Sequence, residues 1–152
     1  ILERVGALPA GAAVIVMGDF NNVAEHSELW RNATGQGLRD AWLVADERRG
    51  PALTLSDFGA PDEGRIERVD WILVGGPIGV RSVETVLYND RGRYPSDHYP
   101  VAARLEGRNV DFDILRVCHS DRRNPMFRLR LAISARFFVF FEHRCTFPWV
   151  SD

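Results

Sequence analysis

An uninterrupted apolar run, Val14-Ile15-Val16-Met17, is the feature that most constrains the fold of this 152-residue chain. Such a run is typical of a strand buried on both faces, because an exposed face would alternate apolar and polar residues. A strand of this kind needs partner strands and a covering layer. Apolar residues at helical spacing precede the run, so we expect a helix that packs on the sheet, formed around Ile1, Leu2, Val5 and Leu8.

Downstream patterns predict further elements of a mixed α/β fold. Residues 25–32 read as a short helix with Leu29 and Trp30 turned inward, and residues 38–44 read as a loop. A short strand is expected at 52–55. Two strands rich in β-branched and aromatic residues are expected at 66–74 and 80–88, joined as a hairpin or meander, and a last strand at 100–105.

Composition restricts the function classes. The formal net charge of -2 gives no overall attraction to nucleic acid or acidic lipid, so any polyanion binding must be local. No stretch approaches the roughly 20 apolar residues that span a bilayer, so we expect no integral membrane segment. The two cysteines form no C-x-x-C pair, which argues against a disulfide scaffold or a standard zinc finger.

The chain changes character after residue 106. Seven of the nine Phe residues and both Cys lie in 107–152, where neither helical nor strand periodicity persists. We therefore divide the chain into a domain at 1–106 and an irregular tail at 107–152, unstructured or spurious. Alternative interpretations of the tail are a basic and aromatic surface for nucleic acid or membrane, or a zinc site from Cys118-His119 and His143-x-Cys145.

Two polar clusters are attached to predicted strands. Gly18-Asp19-Phe20-Asn21 directly follows the apolar run, and Asp19 and Asn21 would face the same side of an extended segment. A carboxylate beside an amide can hold a water and a phosphoryl oxygen, but the same residues also suit an Asx-type turn. Asp70 lies inside an apolar strand and needs a partner, which could be Arg68, Arg65 or a catalytic group.

Two more clusters lie near strand ends. Ser96-Asp97-His98 places an acid beside an imidazole just before the last strand, and His can change its charge near neutral pH. A surface pair that caps the strand would explain the same residues. Thr54, followed by Ser56 and Asp57, could donate hydroxyl hydrogen bonds to a phosphate or simply end a strand.

Taken in order, G-D-F-N after a buried strand, R-V-D-W-I-L-V as a strand and S-D-H-Y-P-V before the last strand resemble the endonuclease/exonuclease/phosphatase superfamily. Its members include pancreatic-type deoxyribonucleases, abasic-site endonucleases, bacterial sphingomyelinases and inositol polyphosphate phosphatases. The resemblance covers about residues 10–106. It implies a four-layered α/β sandwich with two packed mixed β-sheets, of which this chain carries the C-terminal half.

The resemblance also implies roles for individual residues. Asp19 would orient or activate the attacking water, and Asn21 would hold a phosphate oxygen. His98 would act on the nucleophile or stabilise the phosphorane, with its ring oriented by Asp70. Asp97 would bind a metal, Mg²⁺ or alternatively Mn²⁺, and Thr54 would contact the substrate phosphate together with Asn21 and His98.

By the same resemblance, a principal metal-ligating Glu, an Asn and a further His belong to an upstream half of the domain that this sequence does not include. We therefore expect a metal-dependent hydrolase of phosphodiester bonds that is weakly active or inactive without that half. Nucleic acid is the commonest class of substrate among the members that the resemblance implies. A phosphomonoesterase, a sphingomyelinase-like lipid hydrolase and a non-catalytic remnant are the alternatives.

Overall fold

The residues that the computed structural model describes, 2–62, 64–107, 110–116 and 138–142, form three helices and eight strands. In chain order they are α1 (Leu2–Gly6), β1 (Val14–Asp19), α2 (Glu28–Gly35), β2 (Arg39–Asp40), α3 (Ala41–Val44), β3 (Glu47–Arg49), β4 (Asp70–Gly75), β5 (Gly79–Thr85), β6 (Val101–Gly107), β7 (Val110–Arg116) and β8 (Phe138–Glu142). The expected helix at the start and the buried strand after it are confirmed as α1 and β1.

The strands form two mixed sheets. Sheet A has the order β2-β4-β1-β8 and sheet B the order β3-β5-β6-β7. In sheet A, β1 pairs antiparallel with β4 and parallel with β8, and in sheet B, β5 pairs parallel with β3 and antiparallel with β6. The register of β1 on β4 sets Asp19 opposite Asp70. Two carboxylates therefore meet at one end of sheet A.

The core has two compartments, one on each face of sheet A. Every residue of β1 and β4 is buried. Alternate residues of these strands pack with β5 and β6 between the sheets, with Ile15, Met17, Ile72 and Val74 on this side. The other face packs with α1 and α2, through Val14, Val16, Trp71 and Leu73. Each fully buried side chain of this size contributes about 1.5–3 kcal/mol. The expected sandwich of two packed sheets is confirmed, with helices covering sheet A.

The hairpin expected from residues 66–74 and 80–88 is wrong, because β4 and β5 belong to different sheets. Gly76 lies in the crossing between them with a φ of 69°, and a Cβ there would lie 2.1 Å from the carbonyl oxygen of Ala12. The chain turns away from β4 instead of folding back beside it. Apolar periodicity identified both strands but carries no information about which strands pair.

Three other boundaries differ from expectation. Residues 52–55 form no strand apart from an isolated bridge between Leu55 and His98. Residues 38–44 are not a loop but contain β2 and α3, since the Asp40 carboxylate caps α3 by accepting from the backbone N–H of Trp42 at 2.9 Å. The strand expected from residue 66 begins only at Asp70.

Helix α2 begins at Glu28 rather than residue 25, because Ser27 is its N-cap and accepts from the backbone N–H of Trp30 at 3.2 Å. Trp30 packs against the core as expected. Leu29 is 38% exposed, so its expected inward position is wrong. Adjacent helical residues point about 100° apart, and α2 has a core on one side only.

Two strands, β7 and β8, lie within the segment that we expected to be irregular, and they pair with β6 and β1. The remainder of that segment, including the four Cys and His residues considered for zinc, lies outside the described residues. The boundary at residue 106 stays a prediction. Within the part of the chain that the structure describes, no helix is long and apolar enough to cross a bilayer.

Replacing Gly76 with Ala should destabilise the protein more than replacing Gly11 with Ala. Both glycines have a left-handed backbone, with φ of 69° and 76°, but only Gly76 meets neighbouring backbone where a Cβ would lie. The left-handed strain of about 1–2 kcal/mol is common to both variants, and overpacking adds about 1–3 kcal/mol for Gly76→Ala. Urea unfolding measures the difference, and equal losses would contradict the close approach.

Candidate active site

His98 and Asp70 form a hydrogen-bonded pair at the end of sheet A. His98 Nδ1 and Asp70 Oδ2 are 2.7 Å apart, and Asp70 is 3% exposed. The backbone N–H of His98 also donates to Ser96 Oγ at 3.1 Å, which holds the turn that carries the ring. Since a carboxylate can only accept, Nδ1 carries the proton in this pair. The other ring nitrogen, Nε2, takes no part in this hydrogen bond.

This contact makes His98 a partner of the buried Asp70 carboxylate. The two arginines that the sequence offered are engaged elsewhere: Arg68 pairs with Asp40, and Arg65 pairs with Asp57 and Glu67. The structure therefore brings together the imidazole and carboxylate that the family resemblance linked, although they are 28 residues apart in the sequence.

Asp19 lies opposite Asp70 and is bound by its own turn. Its Oδ1 accepts from the backbone N–H of Asn21 at 2.9 Å, and its Oδ2 accepts from Asn21 Nδ2 at 3.1 Å. The first bond is the Asx-type turn that the sequence allowed. Asn21 has a φ of 49°, so the expectation that both side chains project from one extended segment is wrong. The turn instead folds the Asn21 amide back onto the carboxylate.

Asp19, Asp70 and His98 converge, with one nitrogen or oxygen atom of each lying within 4.8 Å of the others. Burial alone would lower the pKa of His98. The hydrogen bond and charge of Asp70, followed by the charges of Asp19 and Asp97, outweigh burial and raise the pKa above its ordinary value. The site therefore favours the imidazolium form of His98.

Thr54 holds the backbone at the start of β4. It is 1% exposed, and its Oγ1 accepts from the backbone N–H groups of Val69 at 2.9 Å and Asp70 at 3.0 Å. These bonds fix the start of β4 and with it the Asp70 carboxylate. The expected contact between Thr54 and a substrate phosphate stays a prediction.

Asp97 lies on the turn at residues 96–98 that carries His98, but outside the group of converging atoms. Its Oδ1 accepts from Ser96 Oγ at 3.3 Å, and its carbonyl oxygen accepts from the backbone N–H groups of Ser56 and Asp57. The carboxylate is half-buried and near enough to contribute to the raised pKa of His98. Its expected role as a metal ligand stays a prediction.

The chemistry of these donors indicates how a divalent cation would fit. Mg²⁺ prefers oxygen ligands and is commonly held by one or two carboxylates with several waters. His98 Nδ1 is bonded to Asp70, so that ring nitrogen is not open to a cation. Asp19 belongs to the group of converging ligand atoms and Asp97 does not, and each offers carboxylate oxygens of the kind that Mg²⁺ or Mn²⁺ prefers.

A buried ion pair beside the site was not found by sequence reasoning. Arg68 is 4% exposed and donates to both carboxylate oxygens of Asp40, at 3.2 and 2.9 Å, and to Glu25 at 3.1 Å. Trp30 Nε1 also donates to Asp40 at 2.8 Å. The R-V-D-W motif held the only available signal, because a second charge two residues before Asp70 also needs a buried partner.

Residues 2–98 match the Endonuclease/Exonuclease/phosphatase family. No curated protein matches the chain. Among solved structures, the chain is similar to an endonuclease/exonuclease/phosphatase from Bacteroides vulgatus, at 27% identity and a TM-score of 0.61 over 70% of this chain. It is also similar to a functionally unknown conserved protein from Enterococcus faecalis, at 26% identity and a TM-score of 0.61, likewise over 70% of this chain.

A third similar structure is a mannosyl-6-phosphatase from Bacteroides thetaiotaomicron, at 24% identity and a TM-score of 0.56 over 69% of this chain. At that identity the likeness concerns the fold. In all three comparisons the matched part is 41% of the other protein. The chain thus spans less than half the length of the structures it resembles.

Replacing Asp70 with Asn should lower the pKa of His98 relative to wild type, because burial is then opposed only by the charges of Asp19 and Asp97. NMR titration of the His98 ring, assigned with His98→Gln, measures the change. Asp46→Asn, which removes an exposed carboxylate from the bend before β3, is the control. An unchanged titration of His98 in Asp70→Asn would contradict the pair.

The same pair has a pH-dependent effect on stability. Folding raises the pKa of His98, so the pair stabilises the folded state fully below about pH 6.5 and loses this effect as the pH rises through the folded-state pKa. The difference in free energy of unfolding between wild type and Asp70→Asn should therefore be larger at pH 6 than at pH 9. Urea titrations at both pH values measure it.

Proposed function

Because this chain belongs to the endonuclease/exonuclease/phosphatase family, we propose that it carries part of the active site of a metal-dependent phosphoesterase that hydrolyses phosphodiester bonds with an activated water. The observation that carries the proposal is the 2.7 Å contact between His98 and Asp70, with Asp19 beside it. An imidazole oriented by one buried carboxylate next to a second carboxylate is suited to general acid–base chemistry.

In the proposed reaction His98 acts on the phosphoryl group. The raised pKa of His98 favours the imidazolium, which donates from Nε2 to a phosphoryl oxygen as negative charge develops. Asp70 holds the ring through Nδ1 and stabilises its positive charge. Because Asp70 is buried and Thr54 fixes the backbone at its position, the ring keeps its orientation without substrate.

Asp19 and Asn21 serve the other reactant. Asp19 is a carboxylate at the strand end, and we assign it the water, whose proton it would accept as the new P–O bond forms. The P–O bond to the leaving alcohol breaks as this bond forms, and the leaving oxygen takes a proton from solvent. The side chain of Asn21 is exposed, and its amide lies 3.1 Å from Asp19, so it can hold a phosphate oxygen next to the attacking water. The water and the phosphate would then share one anchoring turn.

The donor set supports a cation as the remaining component. Asp97, with Asp19 nearby, would hold Mg²⁺ or Mn²⁺, which when bound supplies positive charge to the developing phosphorane. The part matched by this chain is only 41% of each of the three similar structures, so the proposal includes further ligands from an upstream half of the same domain. Without them we expect weak metal binding and little activity.

The substrate is the open part of the proposal. The residues assigned here address the phosphate, which diesters in nucleic acid, phospholipids and phosphomonoesters have in common. A nuclease-like diesterase is our first choice. A phosphomonoesterase is the second, supported by the shared fold of the mannosyl-6-phosphatase. A sphingomyelinase-like lipid hydrolase has no observation of its own in this structure.

A complementation assay tests the proposal. This chain is mixed with a separately expressed N-terminal portion of the Bacteroides vulgatus relative, and hydrolysis of bis-p-nitrophenyl phosphate is followed with Mg²⁺, with Mn²⁺ and after EDTA. We expect activity on mixing that requires the metal. Parallel assays with p-nitrophenyl phosphate and sphingomyelin vesicles distinguish the substrate classes.

Variants connect that activity to the assigned residues. His98→Ala should lower the rate by about 10²- to 10⁴-fold, while His26→Ala, which removes an exposed imidazole, should not. Asp70→Asn should cost less than His98→Ala if packing still orients the ring. If a folded chain bound to its complement stayed inactive, the catalytic assignment would be wrong and a non-catalytic remnant would be the better description.

A further inference from the structure

The loop after Thr54 carries two consecutive residues in a strained conformation. Asp57 and Phe58 have φ values of 50° and 60°, in the left-handed region that glycine or asparagine adopts readily and phenylalanine does not. Such strain persists only where surrounding interactions fix the backbone, and it concentrates at functional sites. A phenylalanine at this position therefore needs an explanation beyond the turn.

The loop is fixed by backbone hydrogen bonds to the turn at residues 96–98, which carries His98. The N–H groups of Ser56 and Asp57 both donate to the carbonyl oxygen of Asp97, at 2.6 and 3.1 Å. Ser56 Oγ accepts from the N–H of Phe58 at 3.2 Å and donates to the carbonyl oxygen of Ser96 at 2.9 Å. Phe58 is thus one residue from an amide bonded to the peptide group that joins Asp97 to His98.

The far side of the loop is fixed as well, because Tyr99 Oη donates to the carbonyl oxygen of Gly59 at 2.6 Å. Arg65 pairs with Asp57 at 3.1 Å and offsets the negative charge of the loop. An anionic ester approaching His98 would therefore meet a rigid loop without an uncompensated carboxylate at Asp57.

Despite these constraints, Phe58 is 55% exposed. A ring that exposed gains only part of the free energy of burial, so packing does not account for a large apolar side chain at a strained position. A single exposed apolar residue is ordinary on a protein surface. An exposed aromatic ring on a loop whose backbone is fixed beside the turn that carries His98 differs, because the loop needs little further ordering when the ring contacts a ligand.

We infer that Phe58 is a specificity-determining residue whose ring packs against a ring-shaped group esterified to the phosphate held at His98. This inference rests on the proposed function and names the kind of substrate that the site would take. A phenyl face offers stacking to a nucleobase and apolar contact to the C–H face of a sugar. Nucleotides and sugar phosphates share this chemistry, and the two probes below distinguish them.

Saturation-transfer NMR on the chain itself tests the inference with thymidine 5′-phosphate and glucose 6-phosphate as probes. We expect saturation of the ring protons of at least one probe, and a Kd that rises about 5- to 100-fold in Phe58→Ala, as loss of one stacked ring implies. Transfer to the thymine protons identifies a nucleobase, and transfer to the glucose protons identifies a sugar.

Phe58→Asn and Leu29→Ala are the controls. Asparagine tolerates the left-handed backbone, so Phe58→Asn should keep the free energy of unfolding and still lose the probe. Leu29→Ala removes an exposed apolar side chain from α2 and should bind the probe as wild type does. Marked destabilisation by Phe58→Asn would assign the ring to packing and overturn the inference.

Equal affinity of wild type and Phe58→Ala, or no saturation of either probe by wild type, would also overturn it. The measurement requires no turnover. If probe binding depends on Phe58 but the complementation assay shows no activity, the catalytic proposal is wrong and the role of Phe58 in binding stands. If the complementation assay shows activity but probe binding does not depend on Phe58, only the role of Phe58 is wrong.

Discussion

The pairing of β1 with β4 determines where the proposed catalytic groups lie, because its register sets Asp19 directly opposite Asp70. Like charges opposite each other in an antiparallel pair are destabilising, and burial increases the effect. Two separate sets of donors offset it. Asn21 donates twice to Asp19, and His98, whose pKa is raised, donates to Asp70. The contact that offsets the repulsion at Asp70 also orients the imidazole of His98 and raises its pKa.

The neighbouring ion pair engages Arg68 with Asp40 rather than with Asp70. Arg68 is only two residues from Asp70 and would be a strong partner for it, since buried guanidinium and carboxylate groups pair readily. Asp40 instead engages Arg68 through both carboxylate oxygens, and Trp30 donates to the same carboxylate. Asp70 therefore remains paired with the imidazole. Two buried acid–base pairs, Arg68 with Asp40 and His98 with Asp70, therefore lie near each other at this end of the sheets.

Sequence alone predicted the parts of the site that depend on local pattern. The apolar run before Asp19 indicated a buried strand and its end, and the family resemblance carried by the ordered motifs implied that Asp70 orients His98. It did not predict the pairing of β4 with β1, because pairing joins residues far apart in sequence through backbone groups that every residue has. The role of Asp40 was missed for a related reason: its cap on α3 and its bond to Arg68 are a local and a long-range contact of one side chain.

Four of the five non-glycine residues with positive φ in the described part of the chain belong to the segments after β1 and beside the turn that carries His98. They are Asn21 and Glu25 after β1, and Asp57 and Phe58 beside that turn, while Arg91 lies in an exposed turn between Asp90 and Arg93. Each conformation of this kind costs on the order of 1–3 kcal/mol, which the folded state must offset elsewhere. The fully buried strands β1 and β4 are the elements able to do so. Asn21 bonds Asp19, and Glu25 bonds Arg68. These bonds to charged side chains offset part of the strain at the two residues. The side chain of Phe58 forms no comparable bond. We therefore attribute the exposed ring at this strained position to ligand binding.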